Sequence, residues 1–267
     1  MDLLRRTATA LILLGLVFVW VQFLPPLWFF LFLQILIVAA LVEFYNLSLK
    51  RELFPQRVFG AGIALLIGSS FFFGEISLGM ALFLSLLFSA FYFLIAFNTH
   101  EKLTHFSSSI ALTFFGAFYL SFTLNFFYLL REERGRYSVY FLLAVIFLGD
   151  SGAYFIGKLG GRHKQFPVAS PNKTWEGSLG GFLFAVLGAF ASERLFLQEV
   201  PLWKAILCGI LVHAVAQVSD PLESLFKRAA GVKDSSHILP GHGGFLDRID
   251  SEILAAPFFY YFIQYFW

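Results

Sequence analysis

Long apolar stretches alternate with short polar connectors along almost the whole chain. Stretches long enough to cross a bilayer, about 17–25 residues each, fall at 7–24, 27–46, 58–74, 77–97, 106–130, 138–157, 178–196, 202–219 and 251–267. This pattern predicts nine membrane-spanning helices, the third short enough to be tilted or partly re-entrant. The first follows Arg5 and Arg6, as the core of a signal peptide would. No small-residue cleavage site follows it and Pro25-Pro26 leads straight into the second stretch, so an uncleaved anchor is expected. Heptads, low-complexity tracts and internal repeats are absent from the sequence.

Composition narrows the class. Hydrophobic residues make up 58% of the 267 and charged residues 13%, against about 25% charged in soluble chains. With a mean hydropathy of +0.76, neither a soluble domain nor a disordered chain is compatible with this content. Nineteen basic residues against seventeen acidic ones leave a net charge of +2, which argues against nucleic acid as a partner. The single cysteine, Cys208, lies in an apolar run and rules out a disulfide framework or a thiolate zinc site. The expected fold is an all-α integral membrane protein, a polytopic bundle of about nine transmembrane helices.

Orientation follows from the basic residues, which favour the cytoplasmic side. With the N-terminus inside, fourteen of the nineteen face the cytoplasm, among them Arg5, Arg6, Arg57, Lys173 and Lys227. The discordant segment is 131–137, where Arg131, Arg134 and Arg136 are offset by Glu132 and Glu133. Trp20, Trp28, Trp203 and Trp267 fall near the opposite ends, as an aromatic belt would.

Chemistry-bearing residues concentrate late in the chain. Residues 1–140 read as a transmembrane scaffold, and 141–267 as a catalytic region of the same membrane domain. The stretch 224–250 holds Lys227, Arg228, Lys233, Asp234, His237, His242, Asp247, Arg248 and Asp250. Within it, Pro240-Gly-His-Gly-Gly244 has three glycines, whose freedom lets backbone amides approach a ligand closely. Such loops beside Lys and Arg commonly bind phosphate, the plain alternative being a solvated loop of mixed charge. Asp247 and Asp250, three apart, would share one face if they open the last helix.

Upstream, His213, Gln217, Asp220, Ser224 and Lys227 would form one polar stripe on a continuous helix, which Pro221 can kink. Asp220 and Asp247 are hard oxygen donors suited to Mg²⁺ held with substrate phosphates. His213 reads more simply as a packed, hydrogen-bonded histidine. Asp150, among Gly149, Ser151 and Gly152, reads as a buried acid where helices pack closely. In Ser170-Pro-Asn-Lys-Thr-Trp-Glu-Gly177, Lys173 and Thr174 precede a helix N-terminus and suit a phosphate contact, or a capping turn. The set points to phosphoryl or nucleotidyl transfer on a lipid-borne substrate, in which a protein mainly positions phosphates and neutralises charge.

The pattern Ser-x-Phe-Lys-Arg from Ser224, then Lys-Asp-x-Ser from Lys233, then Leu-Pro-x-His-Gly-Gly-Phe-x-Asp-Arg-Ile-Asp ending at Asp250, resembles the signature of phosphatidate cytidylyltransferases, with no departure. Residues 170–177 resemble a second segment of that family. The resemblance implies transfer of CMP from CTP to phosphatidic acid, giving CDP-diacylglycerol and pyrophosphate, with Mg²⁺ and a K⁺ companion. It implies Asp220 and Asp247 as the metal centre, and the chemistry of the reaction adds Asp250 and Asp150 as auxiliary ligands. Lys227, Arg228, Lys233 and Arg248 would neutralise the phosphates, and Ser224 belongs to the same motif. His242, Gly243 and Gly244 would shape the loop or meet phosphate, and Lys173 and Thr174 would touch substrate.

A secondary transporter of an anionic substrate is the main rival, using the broken helix near Pro221 and the same acids. Against it, the halves do not repeat and the polar residues cluster at one side. Synthases that consume CDP-activated lipid carry Asp-x-x-Asp-Gly-x-x-Ala-Arg, which the chain lacks. The expected setting is a bacterial inner (plasma) membrane with the N-terminus and active site cytoplasmic. A homodimer through the small-residue faces of the later spans is the expected assembly.

Overall fold

A computed structural model describes residues 2–48, 54–239 and 243–267. The chain folds into twelve helices and one short hairpin among the described residues. All nine predicted stretches fall on helices. Six spans are long and apolar enough to cross a membrane: Pro26–Ser48, Leu78–Ala96, Phe106–Arg134, Arg136–Gly160, Trp175–Phe196 and Leu202–Ala229. The apolar stretches Leu11–Phe23 and Gln56–Phe72 are shorter, and the last helix has 15 residues. The protein is thus a helical membrane protein. The chain divides into two compact units, Met1–Tyr128 with Asp234–Asp247, and Leu129–Lys233 with Arg248–Trp267.

The first unit contains α1 (Asp2–Phe23), α2 (Pro26–Ser48), α3 (Phe54–Phe72), α4 (Leu78–Ala96), the single turn α5 (His100–Leu103) and α6 (Phe106–Leu124). Helices α2 and α3 pack on α6 and on each other. Phe29, Leu33, Ile37, Leu41 and Phe44, at spacings of three and four, form the buried stripe of α2, while Leu31, Ile35 and Val42 face outward. That outward face suits lipid.

Several polar side chains inside this bundle bond across helices, because hydrocarbon offers them no water. The Tyr45 hydroxyl donates to the Thr113 carbonyl at 2.6 Å, and Gln34 Nε2 donates to Asn125 Oδ1 at 2.7 Å. Asn125 ends α6, and α7 (Phe126–Arg134) follows, so the predicted stretch 106–130 is two helical pieces. The arginines of the discordant segment belong to the end of α7 and the start of α8 (Arg136–Gly160). Gly135 links them with φ 84°, a conformation that favours glycine.

The second unit is built on α8, α9 (Trp175–Phe196), α10 (Leu202–Ala229) and α12 (Glu252–Phe266), with the single turn α11 (Leu246–Ile249) before α12. Helices α8 and α9 pack closest. A side chain at Gly177 would bring its Cβ 2.8 Å from the Ala153 carbonyl oxygen, too close for the backbones to keep this approach, so glycine is needed there. Between α8 and α9 the connector forms an antiparallel hairpin, β1 (Lys164–Phe166) and β2 (Ser170–Thr174). Lys164 lies opposite Thr174, and Phe166 opposite Ser170. The hairpin is a local departure within an all-α membrane fold. Pro167 and Pro171 disfavour a helix in the segment, and the strands pair its polar backbone instead.

Candidate active site

In the second unit, the hairpin delivers Lys173 to α10. Its Nζ lies 2.8 Å from Asp220 Oδ2, and both side chains are about a quarter exposed. The two segments singled out by sequence thus touch directly. Helix α10 runs through Pro221 to Ala229, which lets its polar stripe form. Ser224 Oγ donates to Asp220 Oδ1 at 3.3 Å, one turn along. Lys227 Nζ is 2.5 Å from Glu223 Oε2, and both side chains are buried. Gln217 Nε2 lies 2.9 Å from His213 Nε2 and donates to the Ser178 carbonyl at 3.1 Å. His213 is therefore the packed histidine its surroundings suggested.

Two further carboxylates join this group. Asp150 Oδ2 accepts from Ser251 Oγ at 3.1 Å. The Asp250 carbonyl accepts from Ser219 Oγ, and Asp250 Oδ1 accepts from the Ser251 amide at 2.7 Å. Burial pushes the Asp250 carboxyl well above the usual carboxylate range; the Asp220, Glu223 and Glu252 carboxylates push it the same way, and Lys227 opposes them. A buried crowd of oxygen donors has the chemistry for a hard cation. Among the described residues, no three His, Cys, Asp or Glu side chains stand arranged to hold one.

Among the remaining candidates of this unit, Thr174 and Arg228 make local contacts. Thr174 Oγ1 accepts from the Gly177 amide at 3.1 Å and caps α9, the capping turn weighed from sequence. Arg228 Nη1 donates to the Val232 carbonyl at 2.9 Å. Lys233 and Arg248 are exposed.

In the first unit, Asp234–Asp247 forms a loop organised by two acids. Asp247 Oδ2 accepts from the Ser235 amide at 2.8 Å, the Gly244 amide at 2.8 Å and Ser235 Oγ at 2.9 Å. Gly243, at φ 82°, makes the tight return, and its carbonyl accepts from the Leu239 amide at 2.9 Å. The Gly244 amide, expected to face phosphate, is thus directed at Asp247. His242 lies outside the described residues.

The second acid is Glu43 of α2, which sequence reading missed. Its Oε1 accepts from Ser236 Oγ at 2.7 Å and the Phe245 amide at 3.1 Å. Its Oε2 accepts from the Leu246 amide at 2.8 Å and Ser235 Oγ at 2.9 Å. The available signal was an acid inside the apolar run 27–46, since intramembrane acids are costly and usually have partners. Glu223 and Glu252 were missed likewise; both are buried.

The expectation that Asp247 and Asp250 share a face of the last helix is corrected. Asp247 lies in α11 and Asp250 in the turn before α12, because the chain leaves the first unit after Asp247. Asp247 and Asp220 accordingly belong to different units.

Comparison with known proteins now bears on this arrangement. A phosphatidate cytidylyltransferase of Staphylococcus epidermidis is 42% identical over 139 residues, 52% of this chain and 53% of that protein's length. One from Staphylococcus haemolyticus is 32% identical over 257 residues, 94% of this chain and 95% of its own. One from Haemophilus influenzae is 41% identical over 133 residues, 48% of this chain and 46% of its own. The alignments to the first and third relatives thus take in about half of those proteins. The model of the Cytidylyltransferase family matches residues 4–266, and by that match, which takes in both motif segments, the chain belongs to the cytidylyltransferase family.

Proposed function

We propose that the protein transfers CMP from CTP to phosphatidic acid, giving CDP-diacylglycerol and pyrophosphate. The observation that carries this reading is the Lys173–Asp220 pair at 2.8 Å, in which the 170–177 segment meets the polar stripe of α10 one turn before the motif begins at Ser224. The names of the relatives support the same substrates, and nothing among them supports the transporter.

In the reaction, an oxygen of the lipid phosphate attacks the α-phosphorus of CTP. The bond from that phosphorus to the bridging oxygen breaks, and pyrophosphate leaves with its electron pair. A phosphate monoester is already anionic at neutral pH, so the chain need not supply a dedicated base. Lys173, only partly buried, is placed to turn from Asp220 to a phosphate oxygen. Arg228, Lys233 and Arg248 supply further positive charge. Lys227 would do so from its buried pair with Glu223.

Mg²⁺, with K⁺ as companion, is the proposed cofactor, and the residues proposed to hold it are Asp220 and Asp247, with Asp250 and Asp150 auxiliary. The roles of Asp220 and Asp247 come from the family resemblance and those of Asp250 and Asp150 from the chemistry, and the all-oxygen donor set suits them. When bound, the ion would neutralise phosphate charge and stabilise the departing pyrophosphate.

We also propose nine crossings with the N-terminus and the motif loops cytoplasmic, in a bacterial plasma membrane, and a homodimer as the assembly. Residues 141–267 would carry most of the chemistry, on the scaffold of 1–140. The distribution of basic residues supports this orientation. Ser235 is buried, so a cysteine at the exposed Ile238 is the better probe, and the native Cys208 is buried. It should react with an impermeant reagent only from the cytosolic face; labelling from outside would reverse the orientation.

The deciding assay is pyrophosphate release by purified protein given CTP and phosphatidic acid, with and without Mg²⁺. Release should require all three. None from folded protein would end the reading.

A further inference from the structure

We infer that Glu43 is a positioning residue that holds both ends of the motif loop, at Ser235–Ser236 and Phe245–Leu246, and through Ser235 sets the orientation of Asp247. The inference rests on the proposed reaction for its catalytic meaning, but its geometry is independent of it.

Glu43 is 1% exposed and lies about 200 residues from the loop in sequence. Its two oxygens receive four donors, two hydroxyls and two backbone amides. A carboxylate, which only accepts and has about four lone-pair sites, suits four donors better than any neutral side chain of its size. Hydrogen bonds to a charged acceptor are about twice as strong as neutral ones, and they fix both ends of the loop. Ser235 and Ser236 are held where the loop begins, Phe245 and Leu246 where α11 opens.

The link to Asp247 is a single hydroxyl. Ser235 Oγ lies 2.9 Å from Glu43 Oε2 and 2.9 Å from Asp247 Oδ2, yet has one proton to donate. The two carboxylates therefore compete for that proton, and moving Glu43 changes what Asp247 receives. Gly244 is the other half of the arrangement. A Cβ there would overlap Ser235 Oγ and Glu43 Oε2, so glycine at 244 is needed for Glu43 to reach the loop, whatever its backbone conformation.

The test uses full-length Glu43→Ala and Glu43→Gln proteins, read by kinetics and by amide hydrogen exchange. Exchange at Phe245 and Leu246 should accelerate in both variants, with the remaining helices unchanged. kcat should fall by about 10- to 100-fold, the usual cost of losing a residue that orients a ligand, with much less change in the KM for CTP. Gly244→Ala should give the same phenotype, and the double variant should be far from additive. If Glu43→Ala does not fold, Glu43→Gln decides, since it keeps the volume and one acceptor oxygen. Wild-type exchange at Phe245 and Leu246, or wild-type kcat, in a folded variant overturns the inference. If the wild-type protein itself shows no turnover, the functional reading falls, and exchange alone decides whether Glu43 holds the loop.

Discussion

The two units neutralise their motif aspartates in opposite ways. In the second unit, Asp220 pairs with the ammonium of Lys173, a flexible and partly exposed side chain. In the first, Asp247 is buried and held by the amides of Ser235 and Gly244 and by a hydroxyl. An ammonium on a four-carbon stem can swing to a new anion when one arrives. Backbone amides cannot move without rebuilding the loop. The difference separates a carboxylate whose partner is exchangeable from one whose orientation is built into the fold. Glu43 shows how far that building extends, since a helix early in the chain supplies acceptors to the loop late in it.

The sharpest way to break this comparison is to remove the charges themselves. Asp220→Asn and Asp247→Asn should each reduce turnover by more than the roughly 100-fold associated with an orienting residue. Asp220→Asn should melt near wild type, while Asp247→Asn should also loosen the loop. Near-normal activity in both, measured as pyrophosphate release, would remove the metal assignment. Chelation followed by Mg²⁺ should abolish and restore turnover of the wild type, and activity that survives chelation would have the same consequence.

Next in size is the buried pair in α10. Lys227→Ala removes the ammonium 2.5 Å from Glu223, whose side chain is 1% exposed, and removing one partner of a buried pair costs about 3–5 kcal/mol. Thermal unfolding should show this directly. The double change Lys227→Met with Glu223→Gln should recover most of the stability. If turnover recovers with it, Lys227 has a structural role and no part in phosphate neutralisation.

Lys173→Ala should raise the KM for CTP or phosphatidic acid, with little loss of stability because the pair is partly exposed. Unchanged KM values for both substrates would leave Lys173 only as a partner of Asp220. The smallest effect belongs to Thr174→Ala. It removes the cap of α9 and should cost about 1 kcal/mol, with Thr174→Ser nearly neutral. A large kinetic effect without a change in melting would instead favour a substrate contact.

Much of this was legible because membranes impose simple rules. Nine helical stretches could be placed from apolar length alone, six of them long and apolar enough to cross a membrane, since any backbone in hydrocarbon must satisfy its own hydrogen bonds. The stripe from His213 to Lys227 followed from helical spacing, and α10 carries it as one continuous helix. The hairpin at 164–174 was not legible, because strands of three and five residues leave too short a pattern to read. The partners of the charged residues were also hidden. The pairing of Lys227 with Glu223 is one of them, because the sequence does not show that both side chains are buried.

The sequence by itself determined a polytopic helical membrane protein, the two motif segments, and the chemistry their residues can perform. These depend on composition and local spacing, which require no knowledge of distant contacts. Only the tertiary structure decided that Lys173 meets Asp220, that Ser235 gives its amide to Asp247, and that Glu43 grips a loop about 200 residues away. Such pairings depend on how helices pack, and packing brings together residues whose separation along the chain carries no periodic signal.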